Sequence, residues 1–301
     1  MPIEKNSEET GLTMASRHSY ALIVVLCVVG ALSSWIGSGG EGYSAARGAL
    51  ELFVGSASQP ATEEAARLFT EQTGIEVNLH LGGSGKMLSE MKLSEKGDLY
   101  FPGSSDFMEL AKKEGLVVAQ TERIVAYLIP AINVPKGNPK GIRSLEDLTR
   151  PELRIGIARP DTVCVGLYAV EILEKNGLSE KVRDNIKTHA PSCAKTAQLV
   201  SLGVVDAVIG WRVFMHWNPD VIETVLLRPD QIPRVGYISI AISAFSRNRD
   251  TAQSFIEFLL SDRGKAVYRK WNYLATEEEA RRYVRPKTPV GGTWDLPENW
   301  K

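Results

Sequence analysis

The chain has 301 residues, of which 44% are hydrophobic and 24% are charged, and its formal net charge is -1 at pH 7. This length and composition are typical of an ordinary globular protein with about two domains' worth of core. The balanced charge argues against a broad basic surface for nucleic acid, so any anion site has to be local.

The first feature along the chain is an apolar run, YALIVVLCVVGALSSWIG, at 20–37. Its composition is typical of a secretory signal, although three glutamates lie within the first ten residues, so translation from Met14 would give a more usual leader. We expect residues 1–46 to be a signal peptide cleaved near 44–46. The alternative is an uncleaved anchor, because a run of about 17 residues is the lower limit for crossing a bilayer. Either way, the body is predicted to be exported.

The next part of the chain alternates short apolar runs with amphipathic stretches. LELFVGSA predicts a strand, PATEEAARLFTEQTG a helix and IEVNLHLGG a second strand. Strand, helix and strand in this order predict a parallel pair joined by a right-handed crossover. The alternation continues with KMLSEMKLSEKG as a helix, DLYFPG as a strand and SSDFMELAKKEGL as a helix.

The second half of the chain repeats this alternation. SLEDLTRPEL predicts a short helix, RIGIARP a strand, VGLYAVEILEKNGL and KTAQLVSLG two helices, and VVDAVIGWRV a strand. RDTAQSFIEFLLSDRGKAVYRKW predicts the final helical stretch. The predicted fold class is therefore α/β, with mostly parallel sheets flanked by helices.

Two extended segments, 123–134 and 235–245, are not followed at once by a helix. Strands that pass between two lobes would have this pattern, with a cleft between the lobes and a hinge at the crossings. A single open sheet with long edge strands is the alternative. The two-lobe interpretation divides the chain into a leader (1–46), lobe I (47–126 and 240–285), lobe II (127–239) and a C-terminal tail that wraps the surface or is loose (286–301).

Four turns rich in small or hydroxyl-bearing residues lead into predicted helices: VGSASQP (54–60), GGSGK (82–86), PDTVCVG (160–166) and APSCAKT (190–196). The first turn of a helix has unpaired N–H groups and a partial positive charge, so it suits an anion. GGSGK does not fit a nucleotide-binding P-loop, because His80 and Met87 stand where glycine and a serine or threonine are needed.

Each of these turns, taken alone, is better explained by a serine or threonine that caps its helix. SSDFME is expected to be such a cap, because the carboxylate of Asp106 would repel an anion. The four turns together favour an anion site. Lys86 beside the second turn is expected to point to solvent, whereas Arg159 and Arg212 flank the later turns and could add a charge.

Cysteine and histidine patterns suggest neither catalysis nor a metal site. His80, His189 and His216 show no H-E-x-x-H pattern and no hydrolase order. Cys164 and Cys193 are too few to hold a metal, and in an oxidising compartment a disulfide is favoured over two buried thiols. We therefore expect no catalytic residue, no cofactor and no resident metal ion.

Several of these segments resemble the periplasmic molybdate-binding proteins of ABC importers. The resemblance is carried by ELFVGSASQPATEEAARLFTEQTGIEVNLHLGGSGKMLSEM and GDLYFPGSSDFMELAKKEGLV, then by IGIARPDTVCVGLYAVEILEKNGL and LVSLGVVDAVIGWRVF, and it covers 50–273. It implies the two-lobed fold of type II periplasmic binding proteins. It also implies a monomeric, exported protein that captures molybdate or tungstate between its lobes and delivers it to a permease in the inner membrane.

The resemblance also implies which residues bind the anion, because members of the family use serine hydroxyls, loop N–H groups and one tyrosine hydroxyl. Ser84 matches the serine of the second turn. Ala57 stands at the position of the first-turn serine, so a neighbouring serine would supply that hydroxyl. Trp211 stands where tyrosine is common, and its indole can only donate. The implied set is Ser56 or Ser58, Ser84, the N–H groups of Val165 and Cys193, and Trp211.

These departures from the family pattern leave the ion open, and sulfate, phosphate or another small anion is the alternative. If Cys164 and Cys193 are bonded, the disulfide would join two loops that flank the anion and stabilise the fold by about 3–4 kcal/mol. Two other classes also remain. One is a secreted thiol-dependent or phosphate-processing enzyme, and the other is a membrane-tethered sensor lobe.

Overall fold

Two β-sheets with helices packed on them make up residues 48–301, the part of the chain that this computed structural model describes. The predicted signal or anchor at 1–46 lies outside the described residues. The strands are β1 (Leu50–Gly55), β2 (Val77–Gly82), β3 (Leu99–Phe101), β4 (Arg123–Leu128), β5 (Pro130–Pro135), β6 (Ile155–Ala158), β7 (Ile186–Ala190), β8 (Ala207–Trp211), β9 (Ile222–Leu226) and β10 (Gly236–Ile242).

The α-helices begin close to where the sequence patterns predict them. They are α1 (Gln59–Thr73), α2 (Ser84–Ser94), α3 (Ser105–Lys113), α4 (Cys164–Lys175), α5 (Ser179–Arg183), α6 (Cys193–Ser201), α7 (Phe214–Trp217), α8 (Arg249–Leu260), α9 (Asp262–Lys270) and α10 (Glu277–Arg281). Helix α1 shows the expected end signals, with Pro60 in its first turn and Gly74 after it in the left-handed conformation, φ 72°. The segment predicted as a short helix near 144–153 forms only a 3-10 turn, Glu146–Thr149.

Each sheet has five strands, in the orders β2-β1-β3-β10-β4 and β7-β6-β8-β5-β9. In the first sheet β1 is parallel to β2 and β3, whereas β10 is antiparallel to β3 and β4. In the second sheet β6 is parallel to β7 and β8, whereas β5 is antiparallel to β8 and β9. The α/β prediction is confirmed, but the sheets are mixed, because β10 and β5 each enter from the other sheet rather than through a crossover helix.

The chain passes between the two sheets twice. It leaves the first sheet at the end of β4 and enters the second with β5, with only Ile129 between them, and it returns between β9 and β10. We call the part built on the first sheet lobe I and the part built on the second sheet lobe II. The boundaries predicted after residues 126 and 239 fall inside β4 and β10, so the strands put the divisions at Ile129 and just before Gly236.

Two groups of buried apolar side chains hold the sheets to their helices. The first includes Leu52, Val54 and Leu99 of lobe I and extends into α4 and β8 of lobe II, and the second lies within lobe II. The C-terminal tail packs on this second group through Trp294, Leu296 and Trp300. No helix within residues 48–301 is long and apolar enough to cross a membrane.

Candidate functional site

The first group of candidate residues lies at one edge of the lobe I sheet. Strands β1, β2 and β3 are parallel, so their carboxyl ends share this edge, and each leads into a helix. Ser56 follows β1, Ser84 begins α2 and Ser104 precedes α3, and all three are at most 2% exposed. Open α/β sheets bind their ligands at this kind of edge.

Lobe II presents a matching edge. Strands β6, β7 and β8 are parallel along it, Cys164 begins α4, Cys193 begins α6 and Trp211 ends β8. The two helices begin earlier than predicted, at the cysteines themselves. The unpaired N–H groups of both helices therefore lie beside the thiols, which puts the N–H of Val165 in the first turn of α4.

The two edges are in direct contact. The N–H of Ala194 donates to Ser56 Oγ at 3.3 Å, and the N–H of Gly85 donates to the carbonyl oxygen of Thr162 at 2.9 Å. Both hydrogen bonds join lobe I to lobe II. At Gly103 the backbone approaches lobe II so closely that an added Cβ would lie 2.6 Å from Cys164 Sγ. The helix starts of the two lobes thus form one buried junction.

The cysteines meet at this junction as two free thiols, so the disulfide predicted from the sequence is not formed in the structure. Their sulfur atoms are 3.4 Å apart, well beyond the bond length of about 2.05 Å. Both side chains are 1% exposed. Burial, and after it the contact with Cys193, raises the pKa of the Cys164 thiol well above its ordinary value. The Cys164 thiol is therefore neutral.

The candidate serines differ in where their hydroxyls lie, some at the junction and one inside lobe I. Ser84 Oγ accepts a hydrogen bond from the N–H of Gly103 at 3.0 Å, so it lies at the junction. Ser58 does not, because its Oγ accepts from Thr62 Oγ1 at 2.9 Å and Thr62 bonds in turn to Tyr268 inside lobe I. Of the two first-turn serines implied by the resemblance, only Ser56 faces the other lobe.

Trp211 is fully buried behind this junction. Its ring packs edge-on against that of Tyr168 on α4, with 4.9 Å between ring centroids. The indole Nε1 has no hydrogen-bond partner among the described residues. The tryptophan therefore keeps an unused donor in the interior of the molecule.

The basic residues near the helix starts are used elsewhere. As expected, the Lys86 side chain is 63% exposed, and it pairs with Glu90 at 3.3 Å. The Arg159 side chain is 58% exposed and pairs with Asp161 at 3.5 Å. Arg212 donates to Asn272 Oδ1 at 2.7 Å. An anion at the junction would thus depend on hydroxyl and N–H dipoles.

One charged cluster beside the junction escaped prediction. Asp106 was expected to accompany a cap, but Ser104 makes no capping hydrogen bond, and Asp106 Oδ2 instead accepts from Arg234 Nη1 at 3.0 Å. Arg234 Nε donates to Glu171 Oε2 at 2.6 Å, which joins α3 of lobe I to α4 of lobe II. The partners are far apart in sequence, so no local pattern could have revealed them.

A groove of about 480 Å³ opens between the lobes next to the junction. Lobe I lines it with Ser56, Gln59 and Gly82, and lobe II with Ser192, Lys195 and Gln198. The Lys195 ammonium bonds to Gln198 Oε1 at 2.9 Å. The groove therefore combines amide, hydroxyl and ammonium groups with the carboxylate of Glu63 beside the start of α6. No cluster of three or more metal-binding side chains is found within residues 48–301.

Comparison with known proteins identifies the family. Residues 50–274 match the model of the bacterial extracellular solute-binding protein family. The chain belongs to this family. The solute-binding protein is 25% identical over 225 residues to a provisionally named binding protein of Haemophilus influenzae, spanning 75% of this chain and 90% of the relative. It is 24% identical over 228 residues to a provisionally named ABC transporter substrate-binding lipoprotein of Bacillus subtilis, spanning 75% and 86%.

A shorter match adds a relative whose ligand is named. The molybdate-binding protein ModA of Mycobacterium tuberculosis is 26% identical over 116 residues, which cover 38% of the solute-binding protein and 44% of the relative. These relatives are binding proteins, and one is named as part of an ABC transporter and as a lipoprotein. The family is described as extracellular and solute-binding, and the Bacillus relative is named for an ABC transporter.

Solved structures confirm the fold of type II periplasmic binding proteins. The periplasmic molybdate-binding protein of Azotobacter vinelandii matches with a TM-score of 0.68 at 16% identity, covering 76% of the solute-binding protein and all of that chain. The periplasmic binding protein AfuA of Actinobacillus pleuropneumoniae, solved with fructose-6-phosphate, matches with a TM-score of 0.65 at 19% identity, covering 83% and 89%. At these identities the likeness establishes the fold alone.

Proposed function

We propose that the protein captures a tetrahedral oxyanion, molybdate or tungstate, between its lobes and hands it to the permease of an ABC importer in the inner membrane. The observation that carries this proposal is the buried junction, where helix starts from both lobes meet. Hydroxyls and N–H groups are present there, while Lys86 and Arg159 are paired at the surface. The molybdate-binding names of one relative and one fold neighbour support the choice of ion.

Capture needs no covalent step. The hydroxyls of Ser56 and Ser84 and the N–H groups of Val165 and Cys193 would donate to the oxygens of the dianion, and Trp211 would contribute its indole N–H. The helix dipoles of α2, α4 and α6 favour negative charge at this point. Binding would close the lobes about the two crossings only to the extent that the closed state binds the ion more tightly.

The proposed setting follows from the family. The segment 1–46 would direct export as a signal peptide, or hold the protein at the membrane as an anchor, and the body would act as a monomer outside the cytoplasm. No cofactor and no catalytic residue is needed for this role. Selectivity against sulfate would depend on the size of the space between the helix starts, because the charge and shape of these dianions are alike.

A second candidate ligand is an organic phosphate, and the groove beside Ser56 favours it. Its volume of about 480 Å³ lies within the range of about 300–1,000 Å³ that small-molecule sites occupy, and a five-atom oxyanion fills far less. The phosphate would bind at the helix starts, and the organic part would lie against Gln59 and Gln198. A fold neighbour was solved with fructose-6-phosphate.

Thermal unfolding of the purified protein with a panel of anions tests both candidates. The panel contains molybdate, tungstate, sulfate, phosphate, fructose-6-phosphate and chloride at equal ionic strength. An anion present at 100 times its Kd should stabilise the protein by about 2.7 kcal/mol. We expect the largest shift with molybdate and tungstate. Equal or absent shifts for all anions would contradict the proposal, and a shift with fructose-6-phosphate alone would favour the second candidate.

A further inference from the structure

Buried polar atoms that have no partner lie on α4 and on residues close to it in the fold. Within residues 48–301 these include Ser104 Oγ, Tyr168 Oη and Trp211 Nε1, each on a side chain with no exposed surface. Buried polar groups in native proteins are almost always hydrogen-bonded, so three unused donors in one region need an explanation. Only Trp211 has so far been linked to a ligand.

We infer that Tyr168 and Ser104 are further ligand-binding residues, whose hydroxyls donate to the anion held at the start of α4. The inference rests on the proposed function and extends it by two residues, one from each lobe. It adds two hydroxyl donors to Ser56 and Ser84, so the anion would be held by uncharged groups on all sides.

The position of Tyr168 follows from helix geometry. It lies four residues after Cys164, so the two side chains share one face of α4. Long side chains on a helix lean back toward its N-terminus, which brings the tyrosine ring over the first turn, where Cys164 and Val165 lie. Trp211 packs against this ring, with 4.9 Å between centroids. Tyrosine and tryptophan thus enclose the start of α4 from the lobe II side.

Ser104 closes the same place from lobe I. It follows Gly103, whose N–H donates to Ser84 Oγ at 3.0 Å and whose Cα is so near Cys164 that an added Cβ would lie 2.6 Å from the sulfur. Although Ser104 stands at the cap position of α3, its hydroxyl caps nothing. It is therefore free to donate across the junction.

The charged groups next to Tyr168 do not supply a positive partner for an anion. Arg234 lies with its guanidinium carbon 4.1 Å from the centre of the Tyr168 ring, but it is already paired with Asp106 and Glu171. Its charge is more than balanced, so it does not supply the positive partner of the anion. Burial raises the pKa of Tyr168 well above its ordinary value, so the phenol keeps its proton and acts as a donor.

The test uses Tyr168→Phe and Ser104→Ala, with molybdate as the probe, or fructose-6-phosphate if that is the anion that stabilises the wild type. A hydroxyl without a partner in the free protein can be removed without loss of stability, so the ligand-free Tm should stay unchanged or rise. Each variant should bind the anion about 10- to 100-fold more weakly by calorimetry, because a hydrogen bond to a charged group is lost.

Tyr268→Phe is the matched control, because its hydroxyl is bonded to Thr62 inside lobe I. It should lower the ligand-free Tm and leave the Kd unchanged. If Tyr168→Phe and Ser104→Ala behave like this control while the wild type binds the anion, the two hydroxyls are structural and the inference is wrong. If the wild type binds no anion of the panel, the proposed function fails and the inference fails with it.

Discussion

Ser56 and Ser58 lie two positions apart, yet their hydroxyls face opposite ways. Ser56 Oγ accepts a hydrogen bond from the N–H of Ala194 in lobe II, whereas Ser58 Oγ accepts from Thr62 within lobe I. Both side chains are buried. The pair therefore offers a natural comparison between a hydroxyl at the proposed site and one that serves only the fold.

Ser56→Ala is expected to weaken binding of the anion that stabilises the wild type by about 10- to 100-fold, because one donor to a charged ligand is lost. Ser58→Ala should leave the Kd unchanged and lower the free energy of unfolding by about 0.5–1.5 kcal/mol, because a buried hydrogen bond is lost. Calorimetry and urea unfolding of both variants give these quantities. Equal effects of the two variants on Kd would contradict the assignment of Ser56.

The thiols are expected to resist labelling in the folded protein. Burial and mutual contact raise the pKa of Cys164, and only a thiolate reacts with an alkylating reagent. Because the folded pKa of Cys164 lies above its ordinary value, its thiolate fraction is small at pH 8 and grows only at higher pH, and Cys193 is shielded from the reagent because it is 1% exposed. Mass spectrometry after iodoacetamide should find no adduct in buffer and two body thiols modified in urea. Rapid native labelling at pH 7 would instead favour the thiol-dependent enzyme.

Prediction succeeded where the signal was local. The turn GGSGK predicted a helix after it, and α2 begins at Ser84, whose hydroxyl lies at the junction. Prediction failed where the partner was distant. Asp106 was assigned to a cap, whereas it bonds to Arg234, 128 positions away. The free hydroxyl of Ser104 was missed for the same reason, because a serine that caps α3 would have its hydroxyl hydrogen-bonded to the helix.

At the level of elements, the alternating pattern located the strands and helices, but it did not show to which sheet each strand belongs. The extended segment 123–134 is two strands, β4 and β5, which belong to different sheets on either side of Ile129. Pro130 begins the second strand, where a missing N–H costs no ladder hydrogen bond. The two strands form one continuous extended segment in the sequence, so only the pairing with β10 and β8 shows that they belong to different sheets.

The close approach of two elements at Gly103 leads to a third expectation. A Cβ there would lie 2.6 Å from Cys164 Sγ and 2.5 Å from Ala57 Cβ, so the loop before α3 or the start of α4 has to move. Gly103→Ala should cost about 1–3 kcal/mol of unfolding free energy and weaken anion binding. Gly48→Ala is the control, because its Cβ would meet nothing closer than 3.7 Å. Unchanged anion binding in Gly103→Ala would show that the junction is not the site.

At the scale of the whole molecule, the lobes are joined at two neighbouring places. The helix starts meet at one of them, and beside it Arg234 ties Asp106 of lobe I to Glu171 of lobe II. The tail reaches the same place, because the N–H of Trp294 donates to Asp106 Oδ1 at 3.0 Å and the carbonyl of Gly292 accepts from Arg234 at 2.8 Å. The two-lobe organisation was predictable from sequence, but this second junction was not, because it is built from four separate segments.

Substitution of Arg234 should therefore lower the free energy of unfolding of the whole protein. Its side chain is 4% exposed, and Arg234→Met would leave two carboxylates buried without their common partner. Loss of one member of a buried ion pair typically costs about 3–5 kcal/mol, and urea unfolding should show a loss of this size. Arg228→Met is the matched control, since its pair with Glu146 is about half exposed on both sides and surface pairs contribute little. Equal losses of unfolding free energy in the two variants would show that the pairing of Arg234 with Asp106 and Glu171 does not hold the lobes together.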